Sequence, residues 1–306
     1  MKRETETLVI RKRLFPTLAS DSREYLQSIL PTEEIVKELR RRHVDIFTFL
    51  ERKWCCPIME PSKTWARAED NIAILNLKSY DEWWKNIGKK TRNMIRKAEK
   101  VGIATDVAVA NDKLAEGIWK IFNETPIRQG RGFPHYGVSL DVVKRNLESF
   151  PNSTYIGAYL QNELAGFIHL IHGDRLTIIS QLLSLQEHWD KAVNNALMAK
   201  AMEFCANNHI EWVMYGRMGN HPTLDSFKES NGFTKLLLTR YFLPLTSKGK
   251  LAIKLKLYRE LKDSLPPSMK KALFPLYNWV SRTRARVKLI LKRRPTNQAL
   301  SVLSTF

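Results

Sequence analysis

The stretch from Thr154 to Phe233 constrains the fold of this chain more than any other part of it. Short segments rich in β-branched and aromatic residues alternate there with turn-forming residues, a pattern typical of strands joined by tight turns. One longer segment repeats apolar residues every three to four positions, which predicts an amphipathic helix. The predicted elements are three strands, a long helix, a fourth strand and a short helix, at Tyr155 to Tyr159, Leu164 to Ile171, Leu176 to Ser184, about Asp190 to Asn207, Glu211 to Tyr215 and Thr223 to Ser230.

This order of elements predicts the fold class. Hairpins followed by a helix and a further strand give a mixed, mostly antiparallel sheet covered by helices, an α/β or α+β layered domain. Turns are marked by Gln161-Asn162-Glu163 and by Gly173-Asp174. Asn231-Gly232 predicts that the last helix ends in a left-handed residue. At 306 residues the chain is long enough for one large domain or two small ones.

Strands and helices are also expected before this stretch. Ser79 and Ser139 stand where helix caps are expected, because a serine hydroxyl can accept a hydrogen bond from an exposed backbone N–H. The predicted strands are Leu8 to Ile10, Ile46 to Glu51, Asn71 to Leu77 and Ile103 to Val109, and the predicted helices are Thr32 to Arg42, one beginning near Asp81, Lys89 to Lys100, Leu114 to Phe122 and Ser139 to Phe150.

Positive charge is concentrated near the C-terminus. The formal net charge is +19, and residues 248–294 hold fifteen Lys and Arg against only Glu260 and Asp263. Apolar and aromatic residues are interleaved with these cations, a pattern typical of a helix lying in an anionic membrane interface. A surface for tRNA or an acidic partner, and a solvated appendage, are the alternatives. Leu251 and Leu255 fit a helical face, so we expect helix rather than strand where this tail begins.

Other classes of protein do not fit this sequence. It has no apolar run of about 18 residues, so we expect no membrane-spanning helix. Met1 to Arg13 is charged and lacks an apolar signal region, so we expect a cytoplasmic protein. Three cysteines, of which Cys55 and Cys56 are adjacent and the third is Cys205, match neither a disulfide framework nor a zinc spacing. We expect no metal site.

Three polar stretches carry the side chains that bind or transfer charged groups. The first, Arg92 to Ile103, reads Arg-Asn-Met-Ile-Arg-Lys-Ala-Glu-Lys-Val-Gly-Ile, and the second runs from Asn123 to Gly137. The third runs from Leu224 to Phe233, contains Phe227-Lys228 and follows Tyr215-Gly216-Arg217. In this order the stretches resemble the Fem-type branch of the GNAT acyltransferase superfamily, whose members are like the aminoacyltransferases that build peptidoglycan interpeptide bridges. The resemblance covers about residues 70–245.

The resemblance implies transfer of an acyl or aminoacyl group to an amine, with acetyl-CoA, another acyl-CoA or an aminoacyl-tRNA as the donor. Ordinary GNAT domains hold the CoA pyrophosphate on backbone N–H groups at a helix N-terminus, through a glycine-containing loop. The corresponding residues here, Ser184 to Val193, include no glycine, and Glu187 and Asp190 would disfavour a pyrophosphate. This departure favours the Fem-type donor. Asn194 and Asn195, near the start of the predicted helix, are the expected donor-binding residues.

On the same resemblance we expect three regions. Residues 1–100 would form an N-terminal region that is a partial Fem-like half, because they are too few for a complete one. Residues 101–246 would form the GNAT-like acyltransferase domain, and residues 247–306 a basic amphipathic helical tail.

The chemistry of acyl transfer assigns roles to these side chains. The attacking amine must be neutral, and the carbonyl oxygen gains charge in the tetrahedral intermediate. Lys228 is the predicted cation by its family position, and the alternative is a solvated helix lysine. Tyr215 would donate a hydrogen bond to the acceptor or the leaving group, as would Tyr136. Glu124 or His135 would act as the base, and the alternative for Glu124 is an ion-pair partner.

Arginines and aromatic residues in the same stretches are the expected substrate-binding groups. Arg128 would clamp an anionic substrate group through its planar guanidinium, and the alternative is a loop arginine paired with Glu124. His169 and His172 lie on a predicted strand, so a role in the core or at the surface is expected for both. The full set of predicted substrate-binding residues is Arg128, Arg131, His135, Tyr136, Arg217 and Phe227.

The sequence therefore predicts a GNAT-fold acyltransferase that acts by direct attack within a ternary complex. Its acceptor would be a small-molecule or lipid-linked amine on a cell-envelope or saccharide precursor. The basic helix Lys89 to Lys100 would contact a tRNA or present a solvated face, and residues 247–294 would hold the protein on the inner face of a membrane. The alternative is a non-catalytic module of the same fold that binds anionic membrane or RNA through its tail.

Overall fold

The computed structural model describes residues 8–11, 15–26, 31–51, 64–128, 131–149, 152–219 and 221–258. These residues divide into two compact units. The first unit takes the chain up to Asn86, then His172–Ile179, then the chain from Cys205 onward, and the second takes Ile87–Ile171 and Ser180–Phe204. Helix α6 and strand β10, defined below, each contribute residues to both units.

In chain order, the elements of the described residues are β1 (Leu8–Arg11), β2 (Leu18–Asp21), α1 (Glu33–Arg41), β3 (Ile46–Leu50), β4 (Ala66–Asn76), α2 (Tyr80–Asn86), α3 (Lys89–Lys100), β5 (Ala104–Ala108), α4 (Asp112–Asn123), β6 (Ile127–Arg128), β7 (Arg131–Gly132), α5 (Leu140–Glu148), β8 (Ser153–Leu160), β9 (Glu163–His172), β10 (Leu176–Ser184), a 3₁₀ helix (Gln186–Lys191), α6 (Val193–Asn207), β11 (Trp212–Met214), α7 (Pro222–Ser230), β12 (Thr234–Pro244) and α8 (Ser247–Lys254).

The sheet of the first unit has the order β1-β2-β3-β12-β4-β11, followed by the first residues of β10. Strands β4 and β12 form its longest ladder, antiparallel from Thr234 opposite Ile74 to Phe242 opposite Ala66. Strand β11 pairs antiparallel with β4 and parallel with β10. Aromatic residues of neighbouring strands pack together, and Phe49 lies 5.5 Å from Tyr241 between ring centres. These aromatic pairs stabilise the register, because cross-strand contacts are the unit of sheet stability.

Helix α1 covers part of this sheet. Thr32 caps it, since its hydroxyl accepts a hydrogen bond from the backbone N–H of Ile35 at 3.4 Å. Acidic residues occupy its first turn and basic residues its last, which suits the helix dipole. Ile35 and Leu39 are buried against Phe47 and Phe49 of β3. The burial of this apolar stripe fixes the helix on the sheet.

The sheet of the second unit has the order β10-β9-β8-β5, in which β8 is antiparallel to both of its neighbours, β9 and β5. Helices α4 and α5 pack together over it, and their apolar residues form one core with strands β8 and β9. Asn111 caps α4 by accepting a hydrogen bond from the Leu114 backbone N–H at 3.0 Å. Ile121 and Phe167 are fully buried in this unit. The unit therefore has a hydrophobic core of its own.

The structure confirms the predicted fold class, a mixed and mostly antiparallel sheet with helices. The predicted basic helix coincides with α3, and its inward face carries Thr91, Ile95 and Ala98. The predicted turn after α7 is also confirmed, because Gly232 has a φ of +88°. Helix α8 confirms helix rather than strand at the start of the tail. None of the described helices is long and apolar enough to cross a bilayer.

Several predicted boundaries were wrong. The helix expected from Asp190 begins at Val193, and the 3₁₀ helix precedes it. Ala192 separates the two because its φ of +58° interrupts the helical hydrogen bonding. Strand β4 begins at Ala66 rather than Asn71, because β12 pairs with its polar first half. Strands β2 and β12 were not predicted.

Two groups of predictions lie outside the described residues. One is the tail beyond residue 258, to which the predicted membrane contact belongs. The other is the adjacent pair Cys55 and Cys56.

Candidate active site

Lys228 lies in helix α7 of the first unit and is only 2% exposed. Its Nζ donates a hydrogen bond to the Arg217 carbonyl oxygen at 2.7 Å and lies 4.9 Å from the centre of the Tyr215 ring. Burial lowers the pKa of the Lys228 ammonium below its usual value. The side chain is therefore not the solvated helix lysine of the alternative interpretation. It is a cation enclosed by the protein and held on an aromatic face.

Tyr215 follows strand β11 at its carboxyl end. Its backbone N–H donates to the Ala73 carbonyl at 2.9 Å, and the Ala73 N–H donates to the Gly216 carbonyl at 2.8 Å. The ring packs edge-on against Phe233, with 6.0 Å between ring centres. Burial raises the pKa of the Tyr215 hydroxyl, so the hydroxyl keeps its proton at neutral pH and can act as a donor.

Arg217, whose side chain is half exposed, joins this group to the mostly buried charges of Asp70, Arg240 and Glu24. Its Nη2 lies 2.7 Å from Asp70 Oδ2, and the same oxygen accepts a hydrogen bond from Arg240 Nε at 3.0 Å. Arg240 also binds the Glu24 carboxylate through two hydrogen bonds, at 2.9 and 2.8 Å. These ion pairs hold the side chain of Arg217, whose backbone carbonyl accepts the hydrogen bond from Lys228. Phe227, next to Lys228, is half-buried.

Arg128 lies in the second unit and is 10% exposed. Its guanidinium donates to the carbonyls of Ser184 and Ile121, both at 2.8 Å, and to Glu124 Oε2 at 2.9 Å. The guanidinium also stacks on the Phe133 ring at 4.7 Å. Burial lowers the pKa of Arg128, although Glu124 opposes this shift. The pairing with Glu124 that the sequence left as an alternative is thus present.

Both carboxylate oxygens of Glu124 have partners. Oε2 binds Arg128, and Oε1 accepts a hydrogen bond from the Gln186 backbone N–H at 2.6 Å. Gln186 is the first residue of the 3₁₀ helix Gln186–Lys191, which lies in the segment that the sequence resemblance predicts as the donor loop. A carboxylate of the protein itself therefore occupies a backbone N–H at the start of this segment. In this arrangement Glu124 links the Arg128 side chain to the backbone at Gln186. Its role as the base stays a prediction.

His135 lies in a stack of aromatic rings. It is 4.5 Å from Phe122 in a parallel arrangement and 5.3 Å from Phe133 edge-on. Its Nε2 lies 3.3 Å from the Gln181 side-chain nitrogen, so Nε2 is the acceptor in this pair. Burial and the neighbouring Arg128 lower the pKa of His135, and the imidazole is therefore neutral at pH 7. The next residue, Tyr136, is buried.

The remaining predicted site residues have simpler surroundings. The backbone of Arg131 in β7 pairs with Arg128 in β6, and its side chain lies outside the described residues. Asn194 and Asn195 occupy the first turn of α6 and are half-buried. Asn194 Oδ1 is buried and has no hydrogen-bond partner in the described part of the chain.

The structure thus brings the predicted residues together in two groups. Lys228, Tyr215, Arg217 and Phe227 lie in the first unit, and Glu124, Arg128, His135 and Tyr136 lie in the second. His169 is buried and stacks on Tyr155 at 4.1 Å, as expected of a core histidine. Among the described residues, no group of three His, Cys, Asp or Glu side chains could hold a metal ion.

Sequence reasoning did not find Asp70, Arg240 or Gln181. Asp70 and Arg240 are diagonal neighbours across the β4–β12 ladder, where Asp70 is opposite Leu238, and this ladder was not predicted. A pattern could have indicated Gln181, because it is an amide within the mostly apolar strand Leu176–Ser184.

Comparisons with known proteins agree with this architecture. The sequence profile described as the acetyltransferase (GNAT) family matches residues 116–233. No curated protein sequence matches the chain. Among solved structures, the chain is similar to FemX, with 11% identity, a TM-score of 0.55, and coverage of 81% of this chain and 86% of FemX.

Two other structures are similar to a comparable degree. The first is L-PGS from Bacillus licheniformis, with 12% identity, a TM-score of 0.51, and coverage of 83% of this chain and 86% of that one. The second is the C-terminal domain of a putative lysylphosphatidylglycerol synthetase from Agrobacterium fabrum, with 11% identity, a TM-score of 0.51, and coverage of 81% and 83%. At these identities the similarity is one of fold. Residues 116–233 carry the sequence pattern of the acetyltransferase (GNAT) family, and the similar solved structures share the fold of the chain.

Proposed function

We propose that this protein is an acyltransferase that moves an aminoacyl or acetyl group to an amine on a cell-envelope or saccharide precursor. The neutral acceptor amine attacks the donor carbonyl, and the Lys228 ammonium stabilises the negative charge that develops on the carbonyl oxygen. Collapse of the tetrahedral intermediate breaks the bond to the tRNA ribose oxygen or the CoA sulfur, and that leaving group departs with the proton that the amine loses. The observation that carries this proposal is the burial of Lys228, with its Nζ held between the Arg217 carbonyl and the Tyr215 ring.

The surroundings of Lys228 support a catalytic cation. An ammonium has three N–H donors, and its hydrogen bond to the Arg217 carbonyl uses one of them. No ion pair joins Lys228 to a carboxylate in the described part of the chain, whereas the buried Arg240 has two carboxylate partners. The Asp225 carboxylate attracts Lys228 without forming an ion pair with it and offsets part of the cost of its burial. A buried cation without a directly paired carboxylate still costs stability, and such groups cluster at functional sites. An oxyanion would provide the missing partner.

The proposal also concerns the molecule that donates the acyl group. The contact between Glu124 and Gln186 favours an aminoacyl donor. A CoA pyrophosphate needs free backbone N–H groups, and Glu124 occupies that of Gln186. Two exposed acidic residues of the same segment, Glu187 and Asp190, would repel a pyrophosphate. The name lysylphosphatidylglycerol synthetase, carried by one similar structure, also supports an aminoacyl group. A tRNA carrier would then contact the exposed lysines of α3, and residues 247–294 would attach the protein to an anionic membrane.

The same contact supports the second candidate, a non-catalytic module that has lost its donor site. Native mass spectrometry after separate incubation with acetyl-CoA and with aminoacylated tRNA distinguishes the two. Binding of aminoacylated tRNA, followed by transfer to an amine, supports the proposal. Binding of acetyl-CoA with transfer would replace the aminoacyl donor by an acyl-CoA. Binding of neither, or of RNA without transfer, would support the module.

The role of Lys228 is tested by Lys228→Met, which keeps the length of the side chain and removes its charge. We expect at least a tenfold loss of turnover with a native circular dichroism spectrum, because the oxyanion loses its cation. The matched control is Lys235→Met, which removes an exposed lysine of β12. Equal turnover for Lys228→Met and the parent protein would refute the assignment.

A further inference from the structure

A cavity of about 260 Å³ lies within the second unit, between the α4–α5 layer and the sheet. Polar side chains reach it from α5, from strands β8, β9 and β10, and from the loop that precedes α5. They are His135, Asn146, Tyr155, His169, Ser180 and Gln181. Apolar residues of α4 and α5 complete the wall. A concave pocket with apolar walls and a few convergent polar groups is the usual form of a small-molecule site.

The cavity carries no formal charge, although 26% of the chain is charged. None of its lining residues is Asp, Glu, Lys or Arg. Arg128, a charged group that acts on His135, is engaged with Ser184, Ile121 and Glu124. His135 itself is neutral at pH 7, since burial and Arg128 lower its pKa. An ionic ligand would lose its hydration on entering and gain no counter-charge, so the cavity disfavours ions.

The polar groups are nevertheless well placed to recognise a ligand. Gln181 and Asn146 have amide side chains, which donate and accept hydrogen bonds. Ser180 and Asn146 are exposed at the surface, so the cavity has an entrance at this side. Tyr155 and His169 are buried and stacked at the inner side. A ligand would therefore meet hydrogen-bonding groups at the entrance and aromatic groups at depth.

We propose that this cavity binds an uncharged, ring-sized group that carries an amide or a hydroxyl. The size follows from the volume, because 260 Å³ corresponds to roughly nine waters at about 30 Å³ each and can hold one six-membered ring with a substituent. The lack of charge follows from the lining, and the amide or hydroxyl from Gln181 and Asn146. This inference rests on the proposed acyl transfer in one respect, because the bound group is taken to be part of a substrate of that reaction.

Three probes of the same shape and different charge test the proposal. Benzamide is neutral, benzoate is an anion and benzamidine is a cation at pH 7.5. Each is titrated into the full-length protein and followed by ligand-observed NMR. We expect benzamide to bind at least tenfold more tightly than either ion. Equal or tighter binding of benzoate or benzamidine, or binding of none of the three, overturns the proposal.

Two variants locate the binding. Ser180→Phe fills the entrance from an exposed position and should abolish benzamide binding. Ser226→Phe is its matched control, because Ser226 is an exposed serine of α7 in the other unit, and it should leave binding unchanged. Gln181→Leu keeps a similar side-chain size and should weaken the binding of benzamide at least fivefold. This variant provides a second test if Ser180→Phe does not fold. Unchanged binding in a folded Ser180→Phe or in Gln181→Leu places the ligand elsewhere and overturns the proposal.

This test is separable from that of the acyl transfer. Transfer that depends on Lys228 without any binding of benzamide would overturn the cavity proposal alone. Selective benzamide binding in a protein that transfers no acyl group would overturn the proposed function and leave the cavity as a ligand site.

Discussion

The Lys228 ammonium lies 4.9 Å from the centre of the Tyr215 ring, and the Arg217 carbonyl oxygen is 2.7 Å from the same Nζ. Three features of the chain produce this arrangement. Tyr215 follows strand β11 at its carboxyl end, and Lys228 points inward from α7. The backbone around Arg217 is held by two hydrogen bonds, from the Ala73 N–H to the Gly216 carbonyl and from the Met218 N–H to Asn71 Oδ1. A cation held in this way is oriented before any substrate arrives, which is the condition for efficient electrostatic stabilisation.

The lowered pKa of Lys228 predicts how turnover depends on pH. The charged form is the active one, so turnover should fall as pH rises through a pKa that lies below the usual 10.5. Lys228→Arg should retain part of the activity and lose this alkaline limb, because a guanidinium keeps its charge over the whole range. The measurement is kcat against pH for both proteins. The same alkaline limb in Lys228→Arg would show that another group titrates.

The lowered pKa of Lys228 also predicts how stability depends on pH. The free energy of unfolding should rise with pH, whereas turnover should fall. The unfolded chain binds the Lys228 proton more tightly than the folded one, so the free energy of unfolding should rise with pH between the folded pKa and 10.5. Lys228→Met should remove this rise. Urea unfolding at a series of pH values from 8 to 10.5 measures the free energy of unfolding of the parent protein and of Lys228→Met.

The ion pair of Arg128 and Glu124 predicts a strongly coupled double-mutant cycle. Arg128→Met leaves the carbonyls of Ser184 and Ile121 without their donor, and it leaves Glu124, whose side chain is 21% exposed, without its cation. We expect a loss of about 3 kcal/mol in the free energy of unfolding, which is typical for breaking a buried pair by removing one partner. Glu124→Gln should cost less, roughly 1–2 kcal/mol, because an amide still accepts a hydrogen bond.

Urea unfolding of the two single variants and the double variant gives the coupling energy. We expect the double variant to be less destabilised than the sum of the single variants by at least about 1 kcal/mol, since each single variant strands the other group. Exposed Lys120 and Glu163, which are 3.2 Å apart in the same unit, are a matched surface pair whose coupling should be close to zero. Additive effects for Arg128 and Glu124 would contradict their role as a joint anchor.

The sequence predicted those parts of the fold whose pattern is local. The basic helix α3 and strand β10 have the predicted bounds, because their periodicity and their turn residues are visible within the segments themselves. The first half of β4, from Ala66 to Asp70, has no such pattern. It is a strand because β12 pairs with it, and this pairing depends on residues about 170 positions away, as for Asp70 and Arg240.

In the candidate site, too, the features with a local sequence pattern could be predicted and those that depend on distant residues could not. The position of Lys228 could be predicted from its motif, but its burial could not, because the enclosing groups come from the segment at Tyr215 and Arg217. The pairing of Arg128 with Glu124 was foreseeable at a separation of four residues. The bond to Ser184 was not, because 56 residues separate the two positions. Long-range contacts of this kind require tertiary structure and have no trace in local sequence.

Gly232 predicts a stability difference that depends on backbone conformation alone. Its φ of +88° is unfavourable for a residue with a Cβ, and a Cβ built there would make only ordinary contacts with Leu75 and Trp83. Gly232→Ala should therefore cost about 1–2 kcal/mol through left-handed strain. Gly232→Asn should cost less, since asparagine tolerates this region better. Thermal unfolding of both variants checks the order, and equal losses would point to crowding instead of strain.

Cys205 should be nearly inert toward thiol reagents while the protein is folded. It is fully buried, and burial raises the pKa of its thiol from 9.0 to about 12. At pH 8 this reduces the reactive thiolate about a thousandfold relative to an ordinary cysteine. Labelling with iodoacetamide, followed by mass spectrometry of the peptides, reports Cys205 separately from Cys55 and Cys56. We expect Cys205 to be labelled at the rate of global unfolding and rapidly in urea. Labelling of the native protein as fast as in urea would mean that the thiol is open to solvent, and would contradict the packing around α6.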